Sequence, residues 1–413
     1  MRLHRWLALV GAFGSVARSA SAQDRSPFSL SGSVRGGYWS STRELDRRRP
    51  LGAGMAWLKA TVPLPHSTTF AAESWGALRG PPEDLDATAE LREAFLNVSL
   101  GPLEIRAGRQ ILAWGRADGV NPTGNLAAED FTLLTPDDAD RRLGTTTAVA
   151  SYYLGGLSLS AIWIPEFRGH TIALPATNGI QFAHDRPAWP GDQWAIRAEQ
   201  AGGAVDWSMS VFRGLDLSPD LSAVGTQNRI DLRHHRVTVL GADATTTVGR
   251  FGLRAEGAYT FTEDDAGTDP FTRNPFAFIV IGGDRTFIGR FNVNLQYLVR
   301  VLTDFASIDG SSDAAVAALA EQQAILSSQT RRVQHGATIR ASYKWLHETL
   351  DTEWAAVAYA GPRAIALRPK ATYAVTDRVS VAGGAEVFRG EKNSLFRMLR
   401  RNSATYVEAR WGF

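Results

Sequence analysis

The feature that most constrains this sequence is a two-residue alternation of apolar and polar side chains, which recurs in many segments. In one segment, Phe291, Leu295 and Val299 share one face of an extended chain, whereas Asn294 and Arg300 share the other. A period of two is typical of β-strands with one apolar and one polar face. Charged residues are too frequent on the polar faces for a closed soluble core, and they suit a water-filled interior. The pattern therefore predicts an all-β protein whose apolar rows face outward.

The final segment continues this pattern up to the last residue of the sequence. Its apolar face carries Thr405, Val407, Ala409, Trp411 and Phe413. A terminal aromatic residue in such a strand resembles the C-terminal signal of outer-membrane β-barrels. The resemblance implies a location in the cell outer membrane. It also implies outer-membrane lipid and, through the Phe413 strand, the barrel-assembly machinery as partners. The alternative is a secreted β-sandwich whose edge strand ends the chain.

Residues 1–22 have the layout of a secretory signal peptide. Arg2 and Arg5 form a basic start, a short apolar stretch follows, and three small residues at 20–22 form a cleavage site. The rest of the chain, residues 23–413, is expected to form a single outer-membrane β-barrel domain.

Charge and cysteine content narrow the functional classes. The sequence has 44 basic and 42 acidic residues, and three of the basic residues but no acidic one lie in the signal peptide, so the remainder has a net charge of −1. No nucleic-acid partner is expected, because positive charge drives binding to phosphate backbones. The absence of cysteine excludes disulfides, thiolate metal centres, cysteine nucleophiles and a lipid-anchored mature N-terminus.

Turn-forming residues divide the chain into about eighteen strands, with sixteen as the alternative. Tight turns are predicted at residues 65–67, 101–102, 155–156, 201–203, 248–249, 285–286, 347–348 and 377–378. Longer connections are predicted at residues 42–53, 79–88, 115–144, 166–191, 214–232, 263–274, 302–333 and 390–401, with a short one at 361–362. Short periplasmic turns, long extracellular loops and an even strand number are typical of transmembrane antiparallel β-barrels. Such a barrel must close, because hydrocarbon does not tolerate an unpaired sheet edge.

Two of the long connections are large enough to enter the lumen, and a barrel of this size has room for an aqueous channel. Residues 115–144 are rich in acidic side chains. Residues 302–333 are predicted to contain a short helix, with Ser312 as its N-cap and apolar residues at helical spacing. Each connection is expected either to fold inward or to form a solvated extracellular lobe.

A constellation around Arg109 carries the most specific resemblance. It comprises residues 91–96, 108–110, 114–119 and 121–122, in which a Gly-Arg-Gln strand leads through a Trp-Gly element to an Asn-Pro pair. This region is similar to alginate-export-like outer-membrane porins and to a related, largely uncharacterised branch of outer-membrane barrels. The resemblance implies a monomeric barrel for export or diffusion. For the uncharacterised branch, it also implies work beside an RND-type inner-membrane exporter and a periplasmic carrier of lipids or hydrophobic molecules.

The polar faces carry acidic and basic residues together, which departs from the strongly basic lumen expected for alginate export. Strict alternation places Arg109 on the apolar face, where a charge at mid-membrane costs about 2–4 kcal/mol. We therefore predict a β-bulge at Gly108 that turns Arg109 inward, with Glu93 or an acid of residues 118–140 as its partner. The predicted pore-lining residues are Arg109, Glu93, Arg106, Arg116, Asp118, Arg254, Glu256, Arg290, Arg300 and Arg340.

No group of residues in the sequence has a spacing typical of a catalytic site, so enzymatic activity, a metal and a cofactor are not expected. The adjacent pair His234 and His235 lacks an identifiable third metal ligand. The favoured hypothesis is a porin-like channel that moves solutes across the outer membrane. One alternative is the outer-membrane exit component of an export system for lipids, hydrophobic molecules or polysaccharide, and another is a structural barrel plugged by its loops. A barrel enzyme is the least favoured hypothesis.

Overall fold

The computed structural model describes residues 28–41, 51–80, 85–172, 181–185, 189–222, 229–305 and 314–413. The predicted signal peptide, residues 1–22, lies outside the described residues. Within the described part of the chain, eighteen antiparallel strands form one sheet. The sheet closes into a barrel, because the first strand pairs with both the second and the last. The predicted barrel and its strand number are confirmed.

The strands are numbered here in chain order. The first nine are β1 Ser29–Ser41, β2 Leu51–Leu64, β3 Thr68–Arg79, β4 Asp86–Leu100, β5 Leu103–Gln110, β6 Thr145–Leu154, β7 Leu157–Ile164, β8 Gln193–Gln200 and β9 Val205–Leu215. The other nine are β10 Arg236–Val248, β11 Phe251–Phe261, β12 Phe276–Phe287, β13 Phe291–Leu302, β14 Val333–Trp345, β15 Leu350–Ala360, β16 Arg363–Ala374, β17 Val379–Gly390 and β18 Ala404–Gly412. Among the eighteen barrel strands in the described residues, β5, β7 and β8 are the shortest, so the wall is low on that side.

The tight turns join consecutive strands at one end of the barrel, and all but one lie at or within one residue of their predicted positions. The exception was predicted at 285–286 and lies at residues 288–290. Strand β12 continues to Phe287, and the chain then reverses where Ile288 and Gly289 adopt φ angles of +52° and +69°. The alternation of side chains is uninterrupted up to the turn, which is why the sequence pattern did not reveal its position.

Large apolar side chains cover the outside of the barrel, as the alternation predicts. Leu159, Met209, Ile281, Leu295 and Trp354 are each more than half exposed and lie on outward-facing rows of their strands. These rows form an apolar belt of the kind that contacts lipid. Aromatic residues cluster on the outer face near the tight turns: Phe251, Phe287, Phe291, Tyr343, Trp345 and Trp411. No helix within the described residues is long and apolar enough to cross a membrane.

The connections at the opposite end of the barrel contain short elements of their own. Helix α1, Ala314–Leu326, confirms the helix predicted in the connection 302–333, although Ser312 lies outside the described residues. It packs on a small three-stranded sheet through Leu319, which meets Leu221 and Leu232. The strands of this sheet are Gln181–Asp185, Asp220–Ser222 and Arg229–Arg233. Helix α2, Leu395–Met398, follows β17, and the 3-10 turns are Asp138–Arg141, Leu346–Glu348 and Leu399–Asn402. The two-stranded pair Ala128–Glu129 and Arg142–Leu143 lies between β5 and β6.

Candidate functional site

The connection between β5 and β6, residues 111–144 (the lumen loop), folds into the barrel. Its side chains bond to strands that lie far apart around the wall. Arg116 Nε donates to Asp243 of β10 at 2.6 Å, whereas Asp118 accepts from Arg340 Nε of β14 at 2.9 Å. Of the two alternatives left open by the sequence, the structure therefore has the inward fold rather than the extracellular lobe.

One half of the lumen, formed by the inner wall of β7–β13 and residues 112–126 (the packed side), is filled by apolar contacts. Leu112, Trp114 and Leu126 of the lumen loop pack on a cluster that includes Ile162 and Phe212. The loop continues across the wall onto a second cluster, which is composed of Phe276, Phe278, Val280, Leu298 and Leu302 and contacts Ala117 and Val120. Burial of this apolar surface stabilises the loop against the wall.

Glu256 of β11 holds the lumen loop on the packed side. One carboxylate oxygen accepts the backbone N–H groups of Arg116 and Ala117 at 2.8 and 2.9 Å. The other accepts the N–H and the hydroxyl of Thr123, both at 2.8 Å. The Glu256 side chain is buried, and a Cβ at Gly115 would press against its carboxylate. Four hydrogen bonds compensate for the burial of this charge and fix the loop backbone.

The other half of the lumen, formed by the inner wall of β14–β18 and residues 136–140 of the loop (the charged side), keeps a cavity of ≈ 380 Å³. Arg368 bonds to Asp138 at 2.6 Å and to Glu386 at 2.8 Å, and Lys370 bonds to Asp137 at 3.2 Å. Arg340 and Glu353 form a further pair at 3.0 Å. The cavity is lined by these charged groups together with Asp140, Tyr406 and the Pro136 end of the loop. Acidic and basic groups therefore line this cavity together.

Arg300 of β13 differs from the other lumen arginines because no carboxylate in the described part of the chain pairs with it. Its guanidinium lies over the rings of Phe276 and Phe278, 4.6 and 4.8 Å from their centroids. Its Nη1 donates to the Ser327 carbonyl at 3.0 Å. The guanidinium is thus held by two aromatic rings and a backbone carbonyl rather than by a carboxylate.

Arg109 does not have the predicted partner. Its Nη2 donates to Glu166 at 2.8 Å and its Nη1 lies 3.7 Å from Glu90, whereas Glu93 accepts the N–H of Ile111 at 3.0 Å. The predicted bulge at Gly108 is also wrong, because the register of β5 runs through that residue on both sides. Strand β5 ends at Gln110, whereas β4 extends further along the wall, to Asp86. The part of β4 beyond the end of β5 has no β5 neighbour, and the Arg109 side chain reaches Glu90 and Glu166 there.

A β-bulge does occur one strand earlier. The register of β3 with β4 shifts between Glu73 and Ser74, which leaves Arg92 as the extra residue of β4. Arg92 is buried, forms an ion pair with Glu73 and donates to the Ala139 carbonyl of the lumen loop at 2.7 Å. A bulge therefore re-aims an arginine into the lumen, as expected on physical grounds, but at a different residue.

The remaining predicted residues, Arg106, Arg254 and Arg290, are not brought together in one site. Arg106 pairs with Glu104 at 3.4 Å and lies over the Phe95 ring. Arg254 pairs with Asp284 and donates to the Arg116 carbonyl. Arg290 does not belong to a wall strand, because it lies in the turn at residues 288–290.

Several charged residues that the structure brings together were not singled out by the sequence analysis. Glu90, Glu166 and Arg168 form an ion cluster with Arg109, in which Arg168 bonds Glu90 at 2.6 Å. Asp243 accepts from both Arg116 and Ser208. The alternation of side chains in β10 already indicated that Asp243 faces the lumen, since it lies on the same inner row as Val239. Of the two partners of Arg109, Glu166 had no comparable signal, because it lies outside the regular strands, whereas Glu90 lies within β4.

The histidines form no metal site: the described residues contain no group of three or more potential ligands. His170 lies where the lumen loop meets the connection after β7, and its Nδ1 accepts the N–H of Glu129 at 2.9 Å. Burial lowers the pKa of His170 to about 4, so the ring is neutral at physiological pH. The neutral ring is the form that can accept this hydrogen bond.

A closed eighteen-stranded barrel with an apolar outer belt and a polar lumen narrowed by an inward loop defines an outer-membrane β-barrel of the porin type. Its fold is similar to that of the outer membrane protein OpdK of Pseudomonas aeruginosa, with a TM-score of 0.56, 11% identity, and 94% of this chain and 98% of that chain covered. A second OpdK structure was determined with vanillate.

Two further structures are similar to this chain. OccAB3 of Acinetobacter baumannii has a TM-score of 0.55 at 10% identity, with 94% of this chain and 99% of that chain covered. OccD3 (OpdP) of Pseudomonas aeruginosa has a TM-score of 0.51 at 12% identity, with 94% and 91% covered. No protein-family model and no curated protein matches the sequence. At these identities, the likeness concerns the fold.

Proposed function

We propose that this protein is an outer-membrane channel for small solutes, which pass along the charged side of the lumen. The proposal rests on one observation: the lumen loop fills the space beside the packed side of the wall but not the space beside the charged side. The loop seals the packed side but leaves a cavity of ≈ 380 Å³ beside β14–β18. A loop that narrows a wide barrel to a polar passage restricts the size of solutes and retains water for ions.

The charges of the passage support a preference for polar solutes that carry a carboxylate. Arg368 and Lys370 donate to carboxylates of the lumen loop, and a solute carboxylate can exchange with those partners at modest cost because the charge of each cation remains compensated. OpdK, whose structure was determined with the aromatic acid vanillate, provides a precedent for such a solute in a similar fold.

Two alternatives have support from specific observations. The bonds of Glu256 and the packing of Leu133 against Trp57 and Trp75 would suit a structural barrel whose lumen is permanently plugged. The likeness of residues 90–145 to alginate-export-like porins, together with apolar lumen side chains such as Phe278, would suit an exit component for hydrophobic molecules. That function would require a periplasmic carrier or an RND-type exporter as a partner.

Conductance in planar bilayers distinguishes these functions. The wild-type protein is expected to give a steady current, with a smaller single-channel conductance than a variant in which residues 126–140 are replaced by a short Gly-Ser linker. A plugged structural barrel would give no current until the loop is replaced. A conductance that is unaffected by replacement of the loop would contradict the assigned passage.

A further inference from the structure

Arg285 of β12 lies on the outer, lipid-facing surface of the barrel. It pairs in register with Val293 of β13, which shares its face with the exposed Leu295. The preceding residue, Asp284, faces the lumen and pairs with Arg254. Arg285 lies three residues before Ile288, the first residue of the periplasmic turn. The residue therefore places a positive charge at the periplasmic border of the apolar belt.

Two aromatic rings hold this guanidinium in place. Its central carbon lies 4.7 Å from the ring centroid of Phe251 and 4.6 Å from that of Phe287. Both rings belong to the outer face and are themselves partly exposed, at 47% and 37%. Contacts of this kind stabilise a cation and restrict the guanidinium to a defined orientation. The long side chain is consequently pre-organised without a carboxylate.

The polar atoms of Arg285 have no protein partner within the described residues. Its Nε is buried and makes no hydrogen bond. The flanking outward residues are apolar, so no neighbouring side chain neutralises the charge. A lipid-facing arginine is far less costly near the interface than at the midplane, which indicates that this one lies at head-group depth. At that depth the available anion is the phosphate ester of a phospholipid.

We propose that Arg285, clamped between Phe251 and Phe287, binds the phosphate group of a glycerophospholipid in the periplasmic leaflet of the outer membrane. The planar guanidinium presents paired N–H donors that match two phosphate oxygens. Acyl chains of the same lipid lie along the outward row that contains Leu253 and Leu295, which are 42% and 56% exposed. These contacts favour a lipid over free phosphate.

The test is native mass spectrometry of the full-length protein, extracted in detergent and supplied with phosphatidylglycerol. The variants are R285Q, R285K and the control R290Q, which removes an exposed arginine of the adjacent turn without an aromatic clamp. We expect about tenfold weaker lipid binding in R285Q, an intermediate loss in R285K and no change in R290Q. Far-UV circular dichroism and heat-modifiable gel mobility verify that each variant is folded.

A second part of the experiment distinguishes binding of a lipid phosphate from binding of free phosphate. Inorganic phosphate at 10-fold excess over the lipid is expected not to displace it, because it lacks the acyl-chain contacts. Displacement by inorganic phosphate would show that Arg285 forms a general anion site rather than a lipid site, and it would overturn the proposal. Equal binding by R285Q and the wild type, or equal losses in R285Q and R290Q, would also overturn it.

Discussion

The packed side and the charged side of the lumen are formed by one loop against one barrel, yet they have opposite properties. On the packed side the inner wall offers residues such as Ile162, Phe212 and Leu298, and the loop covers them with apolar side chains. On the charged side the wall offers Arg368 and Lys370. Charged groups keep solvent and ionic partners around them, so the loop contacts this wall through ion pairs of Asp137 and Asp138 and leaves a cavity beside them. The inner-facing residues thus decide where a passage remains.

Cysteine accessibility is the most direct test of this comparison, because the natural chain has no cysteine to interfere. Ala355 lines the cavity of the charged side, and Ala258 is buried within the apolar cluster of the packed side. We expect a charged methanethiosulfonate reagent to block most of the current of A355C and none of the current of A258C. The measurement is planar-bilayer conductance before and after the reagent. Equal modification of both variants would show that the two sides do not differ.

The second prediction compares two wall carboxylates. Removing Glu256 on the packed side leaves the N–H groups of Arg116, Ala117 and Thr123 without acceptors, at a cost of about 1–3 kcal/mol for each group that stays buried. We expect E256A to release the loop and to increase conductance and current noise. Glu353 pairs with Arg340 but is partly exposed to the cavity, so E353A is expected to cost about 1 kcal/mol or less. Identical single-channel records for the two variants would contradict this contrast.

The smallest expected effect is a pH dependence at His170, where the lumen loop meets the connection after β7. Burial lowers the pKa of His170 from 6.5 to about 4 in the folded protein, so the unfolded chain takes up the proton first as pH falls. Stability should decrease between about pH 6.5 and pH 4, by on the order of 3 kcal/mol, and then level off.

Thermal unfolding of the wild type and H170Q over this range provides the measurement. Glutamine cannot take up the proton and can still accept the Glu129 N–H. The difference in melting temperature between the two proteins should therefore change with pH. A difference that is constant from pH 7 to pH 4 would show that His170 does not titrate in this way.

The strands of the barrel were predictable because alternation, turn residues and closure are local or general properties. Phe291 to Val301 could be assigned to an outward row from their spacing alone, and the turn at Gly101 from its residue type. The position of the lumen loop was not predictable, because acids such as Asp118 and Asp138 satisfy either water or a basic partner across the barrel. The choice between those environments depends on residues more than 200 positions away, such as Arg340 and Arg368.

Sequence by itself determined the periodic features: the number of strands, the face of each side chain and the apolar outer belt, since these follow from a two-residue repeat and from the cost of unpaired backbone in lipid. The tertiary structure alone decided how the interior is divided. Arg109 meets Glu166 rather than Glu93, and the bulge falls at Arg92 rather than Gly108. These outcomes depend on unequal strand lengths and on packing between distant segments, which local patterns do not encode.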